Sequence, residues 1–114
     1  MPQYVLLLPG GDFEGVSAND MQKISEDYLS WVDALKKTGR YKRAAHLLDT
    51  GRVLHKEKDR IVDGPFTETK EAIDGYYQLE AKNYEEAVEL AKTCPHLKYG
   101  GVVEIREVME HQEE

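Results

Sequence analysis

Pro2-Gln3-Tyr4-Val5-Leu6-Leu7-Leu8 is apolar at almost every position before Pro9-Gly10-Gly11 stops it. A strand with one wet face alternates apolar and polar residues, so a run without alternation describes a strand covered on both faces. The residues that follow supply one cover. Ser17 with Asp20 three residues later makes a capping-box-like start, and Met21, Ile24, Tyr28, Trp31, Val32 and Leu35 recur at steps of three or four. This spacing predicts an amphipathic helix over 18–38. Lys36 and Lys37 suit the negative end of its dipole, and Gly39 suits a left-handed C-terminal cap. With 114 residues and 13.0 kDa the chain has room for one core, so residues 1–114 read as one domain.

Working outward, 44–48 reads as a second strand closed by Asp49-Thr50-Gly51. Segments 52–55 and 60–62 flank the polar turn Glu57-Lys58-Asp59 and predict a short hairpin extending the edge of the sheet. Asp63-Gly64-Pro65-Phe66 reads as a turn, 67–72 as a short helical turn, Asp74-Gly75 as a break, and 76–81 as a strand. Asn83 with Glu86 opens a second helix, with Tyr84, Ala87, Val88, Leu90 and Ala91 on one face and Pro95 at its end; 102–108 closes as a strand. The order β-α-β-hairpin-β-α-β predicts an α+β fold, the ferredoxin-like split βαβ sheet with an extra β-hairpin and both helices on one face. The other face then calls for a second subunit, and a homodimer is expected.

Composition removes several classes. A formal net charge of -7 repels phosphate backbones and argues against nucleic acid as a partner. Hydrophobic residues at 40% and charged residues at 32% describe a chain that folds. The single cysteine, Cys94, rules out an intrachain disulfide framework, fits a reducing compartment, and reads as a small buried hydrophobe rather than a nucleophile. No signal peptide and no apolar run of membrane-spanning length is present, so a cytoplasmic location and no membrane partner are expected. P-loop, G-x-G-x-x-G, G-x-S-x-G, H-E-x-x-H and paired C-x-x-C patterns are missing, so no cofactor is named and no metal site is expected.

Asp63-Gly64-Pro65-Phe66-Thr67-Glu68-Thr69-Lys70-Glu71, followed by Gly75-Tyr76-Tyr77, closely resembles the signature of the DGPF branch of the YCII-related family, with Thr67 where alanine is more usual. The resemblance extends to Tyr4-Val5-Leu6-Leu7 and to Pro95 followed by Gly100-Gly101-Val102-Val103-Glu104-Ile105-Arg106. It implies a dimeric α/β barrel in which two ferredoxin-like sheets pack face to face around a cleft near their interface. Some relatives are thought to use a histidine on the first helix with an aspartate just before the proline that ends the second. Tyr28 and Cys94 stand at those places here, so that pair is not carried over. The resemblance also implies an association with extracytoplasmic-function sigma factor systems.

The candidate site follows from residue chemistry. Asp63 before a Gly-Pro turn either accepts backbone N–H groups of its loop or faces a cleft as a base. Glu68, Lys70 and Glu71 read either as a solvated charged turn or, together with Phe66, as binding groups on a loop. His46, flanked by Ala44, Ala45, Leu47 and Leu48, reads as a core histidine or as a general base in a cleft. Tyr77 adds an aromatic wall. His55 and His111 read as surface residues, while His96 after Pro95 approaches the cleft. Glu104 and Arg106 share a face of the last strand, and the basic run Lys36 to Arg43 reads as a solvated helix end. The leading expectation is a small-molecule-binding dimer whose lyase-like or isomerase-like catalysis is weak or lost; its rival is a regulatory protein that presents the same loop to a sigma factor.

Overall fold

The structure is a computed structural model and describes residues 1–10, 16–48, 50–65 and 72–110. Its elements are β1 (Gln3–Pro9), α1 (Ala18–Lys37), β2 (Tyr41–His46), β3 (Leu54–Glu57), β4 (Arg60–Asp63), β5 (Ile73–Glu80), α2 (Tyr84–Lys92), α3 (Pro95–Lys98) and β6 (Glu104–Glu107). Four strands form an antiparallel sheet in the order β2-β5-β1-β6, and β3 with β4 forms a separate two-stranded sheet. With the hairpin set aside, this is the split βαβ order read from the sequence. No helix among the described residues is long and apolar enough to cross a membrane.

The helices start and stop where the sequence says. Ser17 Oγ accepts from Asp20 N at 3.2 Å. At the other end, Gly39 turns to φ +73°, its N–H reaches the Lys36 carbonyl, and the Arg40 N–H reaches that of Leu35. This pair of bonds satisfies carbonyls the last turn would leave bare. Asn83 Oδ1 accepts from Glu86 N at 2.9 Å and starts α2 in the same way. Pro95, however, does not end α2. The helix closes at Thr93, and Pro95 opens the short α3, where its missing N–H costs nothing.

Ile24, Trp31 and Leu35 of α1 are buried, and Trp31 and Leu35 join Leu6, Leu8, Tyr77, Leu79, Ala91 and Cys94 in one core. Both helices therefore cover the same sheet face. The opposite face carries Val5, Leu7, Ala45 and Tyr76, all half-buried, and Gln78 Nε2 donates to Gln3 Oε1 across it. Arg106 and Glu104 lie on that open face and pair with each other at 3.5 Å.

Several strand bounds differ from expectation, β3 running over Leu54–Glu57 and β6 over Glu104–Glu107, and three departures have a physical reason or a consequence. β2 begins at Tyr41, within the basic run assigned to a helix end, because it is an edge strand. Lys42 and Arg43 stay in solvent while Tyr41 and Ala44 pack on the core, and Lys42 bridges to Glu80 at 2.9 Å. Asp74 and Gly75 do not break β5. A Cβ on Gly75 would sit 2.8 Å from the Ala45 carbonyl oxygen, so this glycine permits the close approach of β2 and β5. The hairpin, expected at the edge of the sheet, pairs among the described residues only with itself.

Candidate functional site

Pro9 and Gly10 at the end of β1, His46 at the end of β2 and Asp74 at the start of β5 share one end of the sheet. The Gly10 N–H donates to the Ala72 carbonyl at 2.8 Å, and the Leu47 N–H donates to that of Asp74 at 2.7 Å. The Asp74 carboxylate packs so closely on Gly10 that an added Cβ there would lie 3.1 Å from its Oδ2. Tyr28, on the apolar stripe of α1, and His96, on α3, reach this end from the helix layer.

Rings dominate the arrangement. Tyr28 meets His46 edge-on at 5.8 Å and lies parallel to Tyr77 at 6.4 Å, while Trp31 packs edge-on against Tyr77 at 4.8 Å. The Tyr77 hydroxyl and His46 Nε2 are 3.2 Å apart. The Tyr28 hydroxyl and His96 Nδ1 are 3.1 Å apart, and His96 Nε2 bonds the Pro9 carbonyl. A carbonyl oxygen can only accept, so Nε2 carries the His96 proton, Nδ1 is the acceptor, and Tyr28 donates to it. Tyr28 thereby commits its proton to His96, and its oxygen is left as an acceptor. His96 itself is 2% exposed, and its ring sits where a Cβ on Gly101 would have to go, 2.3 Å from the ring atoms.

Burial decides the ionisation of the neighbours. It pushes the Tyr77 hydroxyl up to about 12 and drives Tyr28 well above the ordinary tyrosine range, assisted by Cys94, Tyr77 and Asp74 nearby. Neither phenol is a phenolate at neutral pH. Cys94 is buried and its thiol is pushed up to about 11, again by burial, so it is a core residue and not an activated nucleophile. Tyr28 and Cys94, which the sequence reading set at the places of that pair, are thus a protonated phenol and a buried thiol.

Of the residues singled out in the sequence, His46 and Tyr77 are brought together. His46 is exposed rather than embedded, because β2 is an edge strand and the imidazole stands at its end. Asp63 goes elsewhere: as the last residue of β4 it pairs with Arg52 at 3.0 Å, and no hydrogen bond or ion pair among the described residues joins it to His46. Phe66, Glu68, Lys70 and Glu71 lie outside the described residues, as does His111. Tyr28 and Asp74 are members that sequence reasoning left out of the set, and His96, read there only as approaching the cleft, joins them. A hollow of about 640 Å³ between α1 and α3, lined by Asp27, Trp31, Cys94 and Lys98 among others, includes neither His46 nor Tyr77. Its one carboxylate, Asp27, is already held by Lys98 and Tyr99.

No curated protein matches the chain. Among solved structures it is similar to 5-chloro-2-hydroxyhydroquinone dehydrochlorinase from Burkholderia phenoliruptrix, solved in complex with 2,5-dihydroxybenzoquinone. That alignment has a TM-score of 0.53 at 12% identity and covers 96% of this chain and 95% of the other. A protein from Arabidopsis thaliana aligns over 100% of this chain and 99% of its own, at 14% identity and a TM-score of 0.43. The first likeness agrees with the antiparallel sheet and the helix layer described above. The family model of the YCII-related domain matches residues 11–112, from just after β1 through β6, and the chain belongs to the YCII-related family.

Proposed function

We propose that this chain is a small-molecule-binding homodimer whose ligand lies at the sheet end bounded by Tyr28, His46, Asp74 and Tyr77. The observation that carries the reading is the convergence of an exposed imidazole, two protonated phenols and a carboxylate from three separate elements, α1, β2 and β5, onto one end of the sheet. Such a mixture of aromatic walls and a few directed polar groups is what small-molecule sites are made of. The polarity of the Tyr28–His96 bond adds a preference: with its proton given to His96, the Tyr28 oxygen can only accept, so the ligand offers a hydroxyl or amine proton. The only chemistry the described groups support is proton transfer through His46 or Tyr28, since the one thiol is buried. The half-buried apolar residues Val5, Leu7, Ala45 and Tyr76 on the open face support dimerisation of the barrel kind.

The test is calorimetric titration with small hydroxylated aromatics, including the 2,5-dihydroxybenzoquinone bound by the fold neighbour. Binding should weaken roughly tenfold in His46→Ala or Tyr28→Phe, and a methyl ether should bind less well than its parent phenol. Binding that survives both substitutions unchanged would place the ligand elsewhere.

A further inference from the structure

We infer that the β3–β4 hairpin is a clasp that lies on a second copy of this chain, an inference that rests on the dimer reading above. Among the described residues the hairpin has no cover. Every residue of its two strands except Val62 is exposed, and its only ladder among those residues is internal. A lone two-stranded ribbon is marginal in water at best. Yet this one is not polar throughout: the register puts Leu54, Lys56, Ile61 and Asp63 on one face, where Leu54 is 65% and Ile61 is 64% exposed as diagonal neighbours. Leu48, in the segment leading to the hairpin, is 84% exposed.

The size of the chain points the same way. Its radius of gyration is 16.5 Å, against roughly 13 Å for a compact domain of this length. Its accessible surface is 8592 Å², against about 6,300 Å² for a compact monomer of 13.0 kDa. An excess of roughly 2,000 Å² is the area a subunit gives up in an extensive obligate dimer.

A second copy is the occupant because the same chain supplies the receiving surface. When two open sheet faces, each carrying half-buried Val5, Leu7, Ala45 and Tyr76, pack together, a two-fold axis lets each copy give an arm to the margin of that seam and receive one. Charge agrees: residues 52–63 hold four basic and three acidic side chains, a local +1 within a chain of -7. An arm slightly basic against an acidic body favours association between copies that otherwise repel.

Sedimentation equilibrium on the full chain tests this, with circular dichroism as the check on folding. Wild type should be a dimer, and Leu54→Lys combined with Ile61→Lys should raise the dissociation constant roughly tenfold or more while the fold persists. A wild-type monomer throughout the micromolar range would overturn the dimer reading and the clasp together. An unchanged constant in the double variant would overturn the clasp alone. Should that variant fail to fold, a spin label on Lys58→Cys decides, with buried Cys94 left in place. In mixed samples the label should broaden the amides of Val5, Leu7 and Tyr76 in an isotope-labelled, spin-free partner. Broadening found only within the spin-labelled chain, or at a surface bound by some other protein in its place, would refute the inference.

Discussion

The four-stranded sheet and the β3–β4 hairpin are made of the same material and end in opposite situations. In the sheet Leu6 and Leu79 are wholly excluded from water, while in the hairpin Leu54 and Ile61 remain in it. Both regions show strand residues and turn chemistry, and both form ladders. What separates them is the helix layer: Trp31, Leu35 and Ala91 seal one face of the sheet, and nothing within the described residues seals either face of the hairpin. Extended conformation is thus a local property of a segment, whereas its stability belongs to whatever is packed on it.

The sharpest way to break this contrast is the same substitution in both places. Leu6→Ala should cost roughly 2–5 kcal/mol in urea denaturation at any protein concentration, because it opens a cavity under the helices. Leu54→Ala should stay within about 0.5 kcal/mol in dilute solution and reveal a loss only at concentrations where chains associate. Equal losses under dilute conditions would mean that the hairpin is packed on its own sheet.

Next in size is Gly101→Ala, whose new methyl would collide with the His96 ring. Overpacking of this kind should cost roughly 1–3 kcal/mol. In a His96→Ala background the same change should become much cheaper, and a double-mutant cycle with fully additive losses would show that the ring is not the obstacle.

Asp63→Asn should lose less than about 1 kcal/mol, since its partner Arg52 is mostly exposed and the pair is screened by solvent. A larger shift of the denaturation midpoint would give the hairpin base a structural weight that the sheet end was thought to hold alone.

The smallest effect concerns acid. Hydrogen bonds from Tyr99 and Lys98 hold the Asp27 carboxyl below its ordinary range. A depressed folded value contributes stability that is present above the unfolded value and is lost as pH falls through the folded one. Asp27→Asn should therefore lower the neutral plateau slightly, change the acid end least, and so flatten the acid limb of a stability profile. An acid limb indifferent to the substitution would show that the α1–α3 contact does not depend on this charge.

The periodicities of α1 and α2 and their caps were legible because each depends on residues three or four apart, such as Ser17 with Asp20 or Asn83 with Glu86. The strand order followed from the alternation of elements. The site was half legible. His46 and Tyr77 stood out by type, but Tyr28 sits at a core spacing and gave no sign of its hydroxyl's purpose. His96 takes its tautomer from Pro9, 87 positions away, a relation that no local pattern carries. Asp63 looked like a site residue because its turn is conspicuous, yet its carboxylate is engaged by Arg52 within the hairpin. Gly75 misled in the other direction, since a glycine in a sequence looks alike whether it interrupts a strand or lets two strands touch.

Gly75 also bears on how the sheet assembles. It pairs with Leu8 on one side and His46 on the other, and it is the position where the β2 backbone comes too near for any side chain. Sliding β5 along β2 by one residue would drive the Cβ of Asp74 or Tyr76 into the Ala45 carbonyl and send Tyr77 and Leu79 to the wrong face; sliding by two would keep the faces but set Tyr77 or Ile73 in the gap. Each misaligned zipper is therefore blocked at one spot before its remaining bonds can close. A missing side chain thus marks the register of β5 on β2 at the same place where the finished protein gathers its rings.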